Sequence, residues 1–330
     1  MGNSVTIADV ANHLGVSKST VSHALSGKRR ISSAVKRQVL EAVRELGYRP
    51  NFAARVMNTH RTGLVGVVVD SLNNPHTTAL LEELGRELAR YSMQMVLCSA
   101  GEVENGRLLL SKFSNCMVDG ILNNLPGLAE GEARELAHGV PLITYLRHRE
   151  APLTIDFAAG TRQALDYLAG LGHRRIAMIP AERRGGAGED PCLIAYREQF
   201  GDSGLVFRTP AATLQAGLEV AEALFASDAT AVLAGNDAVA SGLLQWAIAR
   251  NYPLPERMSV IGHDDSPLAS LTFPSLTSLR LPIDVIAAHT VKVLMHAIDR
   301  EQPVPEPLTI VPELIVRNSC AARTQAGGKV

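Results

Sequence analysis

The tightest constraint on this chain lies in residues 6–25, where two short helical patterns flank a single glycine. In Thr6-Ile7-Ala8-Asp9-Val10-Ala11-Asn12-His13-Leu14, the apolar residues Ile7, Val10, Ala11 and Leu14 recur at helical spacing. Thr6 can cap this helix, and Asp9 three residues on completes a capping-box pair. Gly15 permits a left-handed turn. Ser17 can cap a second helix, in which Val16, Val21, Ala24 and Leu25 form an apolar side. Lys18, Ser19, Ser22 and His23 fall on the opposite side, and each can donate a hydrogen bond. A third helix is expected from Ser32 or Ser33 as cap, a stripe of Val35, Val39, Leu40, Val43 and Leu46, and Gly47 as stop. Three such helices close a small core in a helix-turn-helix layout, and the polar face of the second suits the DNA major groove.

Charge points the same way independently. Residues 1–61 hold ten Lys/Arg and three acids, a net +7, whereas the remainder carries 22 basic and 30 acidic residues, a net −8. A near-neutral chain thus hides a basic head on an acidic body, which suits a polyanion-binding head.

The other residues read as a larger α/β body. Apolar content of 46% supplies a sizeable core, and 4% aromatic content makes that core aliphatic. No run of 18 apolar residues and no secretory signal is read, and four cysteines (Cys98, Cys116, Cys192, Cys320) lack CxxC spacing. A reducing cytoplasm is the expected compartment, with association to the nucleoid, and no metal or other cofactor is expected.

From Leu64-Val65-Gly66-Val67-Val68-Val69-Asp70 onward, β-branched runs alternate with helical spacing. Strands are expected at 93–98, 118–123 and 141–146, then at 175–179, 231–234 and 258–262, with one late strand over 308–316. Helices are expected between them, near 78–91, 107–117, 130–138, 160–171, 192–200, 214–226, 238–250 and 283–299. Two βα series imply two parallel-sheet lobes, with a ligand site in the cleft at the strands' carboxyl ends. Between head and body, Pro50 ends the third helix and Asn51 can cap a further short one, too short to persist alone in water.

The motifs Val5-Thr6-Ile7-Ala8-Asp9-Val10-Ala11, Gly15-Val16-Ser17, Thr20-Val21-Ser22 and Leu46-Gly47-Tyr48-Arg49-Pro50-Asn51 resemble the lactose-repressor (LacI/GalR) family of bacterial transcription regulators. So do Asn74-Pro75, Gly172-His173-Arg174-Arg175-Ile176, Asn236-Asp237, Ser259-Val260-Ile261-Gly262-His263-Asp264-Asp265 and Pro274-Ser275-Leu276-Thr277-Ser278, in order along the whole chain. The resemblance implies an all-α helix-turn-helix head (residues 1–49), a hinge that is helical on DNA (50–61), and a two-lobed body like a periplasmic binding protein (62–330). Lobe one would take about 62–158 plus 288–320, and lobe two about 159–287. It further implies a homodimer or dimer of dimers on a near-palindromic operator, controlled by a small effector. Lys18, Ser19 and His23 match base-reading positions, while Thr6, Ser17, Thr20 and Ser22 complete the DNA-contacting set in the head. In the hinge, Asn51 and Ala54 join it, and Met57 matches the family's minor-groove wedge. His23 stands where arginine is common, and it lacks the bidentate fork to guanine.

For the effector the resemblance implies Asp70, His76, Thr77, Asp156, Cys192, Asn236 and Asp264. Several depart from the pattern: His76 and Thr77 replace two aromatics, Cys192 replaces an effector-gripping arginine, and Asp156-Phe157 replaces Asp-Asn. Three explanations stand: an unusual ligand, a shifted alignment in which Arg183, Arg184 or Arg197 supplies the cation, or a vestigial pocket. His263 is expected to pack at the cleft floor, and His173 to cap or stabilise a turn. Gly201-Asp202-Ser203-Gly204 is similar to a serine-protease nucleophile motif but sits at a helix end, where a turn is expected. An α/β enzyme with an accessory head is the rival reading, and no nucleophile elbow, phosphate loop or dinucleotide fingerprint supports it. A solute-binding protein is the other, and it requires a secretory signal.

Overall fold

A computed structural model of the chain describes residues 5–26, 31–48, 56, 61–115, 118–125, 127–144, 153–180 and 190–323. The chain divides into two compact units, with the division after Thr62.

The first unit contains α1 (Ile7–Leu14), α2 (Lys18–Ser26) and α3 (Ser33–Glu45). The capping box at α1 forms as its sequence dictates. The Thr6 N–H donates to Asp9 Oδ2 at 2.8 Å, and the Asp9 N–H donates back to Thr6 Oγ1 at 3.4 Å. Those bonds from Thr6 hold the Asp9 carboxyl below the usual carboxylate range. Gly15 takes the left-handed conformation (φ 65°), and the Val16 N–H reaches the Ala11 carbonyl at 3.0 Å. Val10, Ala11, Val21, Ala24, Val39 and Ala42 are buried together. Leu40 is exposed, contrary to its place in the expected stripe, because Val39 and Ala42 turn inward instead. Thr6→Ala removes the cap, and thermal melting of the head is expected to show a loss of about 1 kcal/mol.

Among the described residues, the second unit holds three sheets. The first has the order β2-β1-β3-β4, all parallel: Gln94–Ser99, Leu64–Val69, Gly120–Asn124 and Leu142–Thr144. Along β1, Val65, Val67 and Val69 enter one core cluster while Val68 enters another, so both faces are covered and the strand is apolar throughout. The covering helices are α4 (Pro75–Arg90), α5 (Val103–Asn115), α6 (Glu130–Leu136) and the late α12 (Ile283–Ile298).

The second sheet has the order β12-β10-β9-β8-β6-β7. Its strands are Glu313–Ile315, Thr277–Arg280, Ser259–Asp264, Ala231–Ala234, Ile176–Ile179 and Leu205–Val206, with only β12 antiparallel. Along β8, Val232 and Ala234 face one cluster and Ala231 and Leu233 the other. Helices α7 (Phe157–Gly170), α8 (Pro191–Phe200), α9 (Leu214–Ala226), α10 (Asp237–Ala249) and the short α11 (Pro267–Leu271) belong to this lobe. Gly217 of α9 and Gly242 of α10 let these two helices touch backbone to backbone; a Cβ on either would overlap a carbonyl oxygen of the other helix. A third, two-stranded sheet pairs β5 (Leu153–Ile155) with β11 (Leu308–Ile310) against the first lobe's core.

The chain therefore crosses between lobes three times, near residues 155–157, 280–283 and 310–313. This corrects the expected partition in two places. Ile283 and Ile286 already pack in the first lobe's core, so α12 belongs there from its start. The expected late strand over 308–316 is two strands broken at Val311-Pro312, and the chain beyond returns to the second lobe. Its return is locked by the N–H of Val260 donating to the Ser319 carbonyl at 2.8 Å. No described helix is long and apolar enough to cross a membrane.

His173 serves that return and is not a cap. It is buried; Nδ1 lies 2.9 Å from Thr230 Oγ1, and Nε2 lies 2.9 Å from Ser259 Oγ and 3.1 Å from the Ala321 carbonyl. Burial lowers its pKa, and Arg323 adds to this, against the opposing bond from Ala321. A lowered folded pKa means the fold prefers neutral imidazole. The contribution is complete above the unfolded value of about 6.5 and is lost as pH falls through the folded value. Melting temperatures of the body are expected to fall from pH 7.5 to pH 5.5, and His173→Gln should shrink that difference. Gly201-Asp202-Ser203-Gly204 forms the turn after α8, with Ser203 Oγ donating to the Phe200 carbonyl at 3.2 Å.

Candidate DNA-reading helix and ligand cleft

In the head, the Ser17 hydroxyl accepts from the Thr20 N–H at 3.1 Å and lies 2.7 Å from Ser19 Oγ and 2.8 Å from Thr20 Oγ1. This fixes the amino end of α2. Lys18, Ser19 and Ser22 are exposed, and Thr20 and His23 are half-buried beside them. Ser17 and Thr6 are also exposed, so the head's expected DNA-contacting side chains reach solvent. Lys36, Arg37 and Arg44 on α3 add exposed positive charge. Asn51, Ala54 and Met57 lie outside the described residues.

In the body, a cavity of about 380 Å³ opens where the second crossing leaves β10. Its walls include His76 from α4, Asp264, Asp265 and Ser266 from the end of β9, Arg280 from β10, and Arg317 beyond β12. Asn74 caps α4, its Oδ1 accepting from the His76 N–H at 2.9 Å. That cap, with Pro75 in the first turn, sets His76 into the cleft.

Asp264 meets His76 across the cavity wall. Burial raises the pKa of its carboxyl, but His76, His263 (Nδ1 at 3.2 Å) and the Asn74 amide together hold it below the usual range. It is an ionised acceptor whose side chain is 13% exposed. His263 also rests on the Phe157 ring at 5.5 Å, which matches the expected packing role. Nε2 of His76 and Nε2 of His263 are buried without a hydrogen-bond partner among the described residues. Buried polar atoms left unpaired are costly, so they mark where a ligand or water belongs.

Beneath the loop, Asp237 is almost fully buried at the start of α10. It accepts from the Ser266 N–H and from Ser278 Oγ, both at 2.6 Å. Burial and the Asp264 charge push its carboxyl up to about 7.

The other expected effector residues are not among the cavity's walls. Asp70 follows β1, and its carbonyl accepts from Ser99 Oγ at 3.3 Å and from the Gly101 N–H at 2.8 Å. Thr77 is half-buried on α4. Asp156 and Asn236 act as caps, accepting from the N–H groups of Ala159 and Val239 at 2.8 Å each. Cys192 corrects the expectation most plainly: it is buried in the apolar cluster with Leu193, Tyr196 and Met178. Arg183 and Arg184 lie outside the described residues, and Arg197 sits on α8 away from these walls.

The cations come from Arg280 and Arg317, which the sequence did not single out. Thr277-Ser278-Leu279-Arg280 shows no apolar alternation that would have marked a strand there. No group of three or more potential metal ligands occurs among the described residues.

A helix-turn-helix head followed by a two-lobed α/β body with a cleft at its crossings defines a class of DNA-binding proteins. Comparison with known proteins agrees. Residues 6–51 match the family described as bacterial regulatory proteins, lacI family, and residues 165–320 match the periplasmic binding protein-like domain. The HTH-type transcriptional regulator MalR of Streptomyces coelicolor is 29% identical, covering 98% of each chain. The ribose operon repressor of Escherichia coli K12 is 29% identical over 95% of this chain and 99% of that one. A lac repressor dimer bound to operator and the anti-inducer ONPF superposes with a TM-score of 0.83 at 22% identity, covering 97% of this chain and all of the other. The transcriptional regulator CelR in complex with cellobiose gives 0.66 at 28% identity, covering 96% and 99%. The chain carries the DNA-binding domain of the lacI family of bacterial regulatory proteins and a periplasmic binding protein-like domain. It is a DNA-binding transcriptional regulator and not an enzyme.

Proposed function

We propose that this regulator is an operator-binding repressor whose DNA affinity is set by a small hydroxylated ligand in the interlobe cleft. The observation that carries this is the cavity wall: ionised Asp264 beside the unpartnered, buried Nε2 of His76, with the Ser266 hydroxyl in the same wall. Carboxylate, imidazole and hydroxyl in one half-dry recess match the alternating donors and acceptors of a polyol or sugar. Relatives support the class, since their structures hold cellobiose, lactose and ribose. Among the described residues His76 is the one aromatic ring in the wall, so orientation there rests on hydrogen bonds more than on stacking.

In this reading residues 1–49 read DNA, 50–61 form the hinge and 62–330 sense the ligand and dimerise. Lys18, Ser19 and His23 read bases; Thr6, Ser17, Thr20 and Ser22 hold phosphates; Asn51, Ala54 and Met57 act in the minor groove. A two-fold dimer doubles the contacts that one small head provides, as in the operator-bound lac repressor dimer. The protein works in the cytoplasm, associated with the nucleoid. Asp70, Thr77, Asp156 and Asn236 border the ligand when the lobes close, and His76 and Asp264 grip it.

A thermal-shift panel of sugars, sugar acids, polyols and nucleobases tests the sensor. Hits are then assayed for their effect on DNA affinity. Ligand binding that leaves DNA affinity unchanged overturns the allosteric part.

A further inference from the structure

The loop after β9 is strained and heavily restrained. Asp264 (φ 104°) and Asp265 (φ 48°) are consecutive non-glycine residues in the left-handed region. Such a pair persists only where surrounding bonds hold it. Asp237 supplies some of them through Ser266 and Ser278, and the Asp265 N–H donates to Ser278 Oγ at 3.1 Å. The Asp265 carboxylate supplies the rest. Its Oδ2 accepts from Arg280 Nε at 2.7 Å, and its Oδ1, which makes no hydrogen bond among the described residues, is ion-paired with a terminal nitrogen of Arg317 at 2.6 Å. That same nitrogen of Arg317 donates to the Leu276 carbonyl at 2.7 Å, and the Arg317 N–H donates to Thr277 Oγ1 at 2.9 Å.

The positions of the two arginines matter. Arg280 is the last residue of β10, directly before the crossing at 280–283. Arg317 lies two residues beyond the end of β12, the strand that the crossing at 310–313 leads into. One carboxylate, whose side chain is only 5% exposed, therefore joins the loop that carries Asp264 to the residue that opens one crossing and to the segment just past the strand that another crossing enters.

We infer that Asp265 is a positioning residue that couples the ligand-facing Asp264 to the interlobe hinge. It rests on the reading of the cleft as the ligand site. Any displacement of Asp264 moves its neighbour, and the neighbour's carboxylate moves both crossing strands. The connection is a contiguous set of bonded groups between a site and a hinge, as coupling through a packed protein requires.

Hydrogen exchange of the full ligand-free chain tests it, comparing wild type with Asp265→Asn and Arg280→Gln. In Asp265→Asn, amides of three separate segments (264–266, 281–285 and 311–317) should exchange about tenfold faster together. Sheet amides in β1, β6 and β8 should keep their wild-type rates. Arg280→Gln, which removes the more exposed partner, should give the same pattern at smaller amplitude, and it stands in if Asp265→Asn does not fold. A uniform acceleration over both lobes overturns the coupling role, because it reports only lost stability. So does acceleration confined to 264–266, or none. Salt-sensitive DNA binding by the wild type is measured in parallel; its absence defeats the proposed function, whereas the exchange pattern judges the role of Asp265 alone.

Discussion

Asp264→Asn should fold normally and yet lose most of its ligand response. Asparagine has nearly the same volume and tolerates a positive φ as well as aspartate does, so the loop at φ 104° keeps its shape. What goes is the ionised acceptor that His76, His263 and Asn74 sustain against burial. Hydrogen bonds to a charged group contribute about 1.5–3 kcal/mol, so affinity for whichever panel compound stabilises the wild type should fall about 10- to 150-fold. Removing that charge also relieves Asp237, whose carboxyl it helps push up to about 7. Calorimetric titration beside a thermal melt separates the two effects. A variant that melts like wild type and still binds with wild-type affinity would remove Asp264 from the site.

His23→Arg should change which DNA the protein selects. His23 is half-buried at the carboxyl half of α2, beside the exposed Lys18, Ser19 and Ser22. Imidazole reaches less far than guanidinium and cannot make two parallel bonds to guanine O6 and N7. Arginine at this position should add a guanine preference at one base pair in each half-site. That preference is worth about 1–3 kcal/mol, or about 5- to 150-fold between guanine and the wild-type base. Selection from random duplexes, run side by side on both proteins, reads the difference directly. An unchanged consensus would mean that residue 23 does not face bases.

The head was legible because its signals are local. Thr6 with Asp9, Gly15, and Ser32 each act within one turn of their own helix, and apolar periodicity decided the rest. Leu40 fitted the stripe by spacing but lost its place to Ala42, since α3 packs a narrower face than its sequence offers. The two βα series were legible for the same reason: β1 and β8 are apolar on both faces. β10 was not, because Ser278 is buried only by its bond to Asp237, forty-one positions away. The break at Val311-Pro312 was equally hidden, since it is set by which lobe each half pairs with.

The cleft shows the same division. His76 and Asp264 were found through motifs, whereas Arg280 and Arg317 meet at Asp265 only because β12 folds back antiparallel onto β10. Cys192 occupied a matching position in sequence, yet its helix turns that position into the core. A loss of the family's arginine in sequence is thus not a loss of cations from the cleft.

The central claim, that a ligand in this body governs sequence-specific DNA binding by this head, is tested most directly by one titration. Fluorescence anisotropy of the full chain is measured on its selected duplex and on a scrambled one, across a salt series, with and without the panel hit. The selected duplex should bind about 10³-fold or more tighter than the scrambled one, and affinity should fall steeply with salt. The ligand should shift affinity for the selected duplex about 5- to 150-fold and leave the scrambled duplex nearly unaffected. Equal affinity for both duplexes, or a ligand that changes neither, would contradict the account.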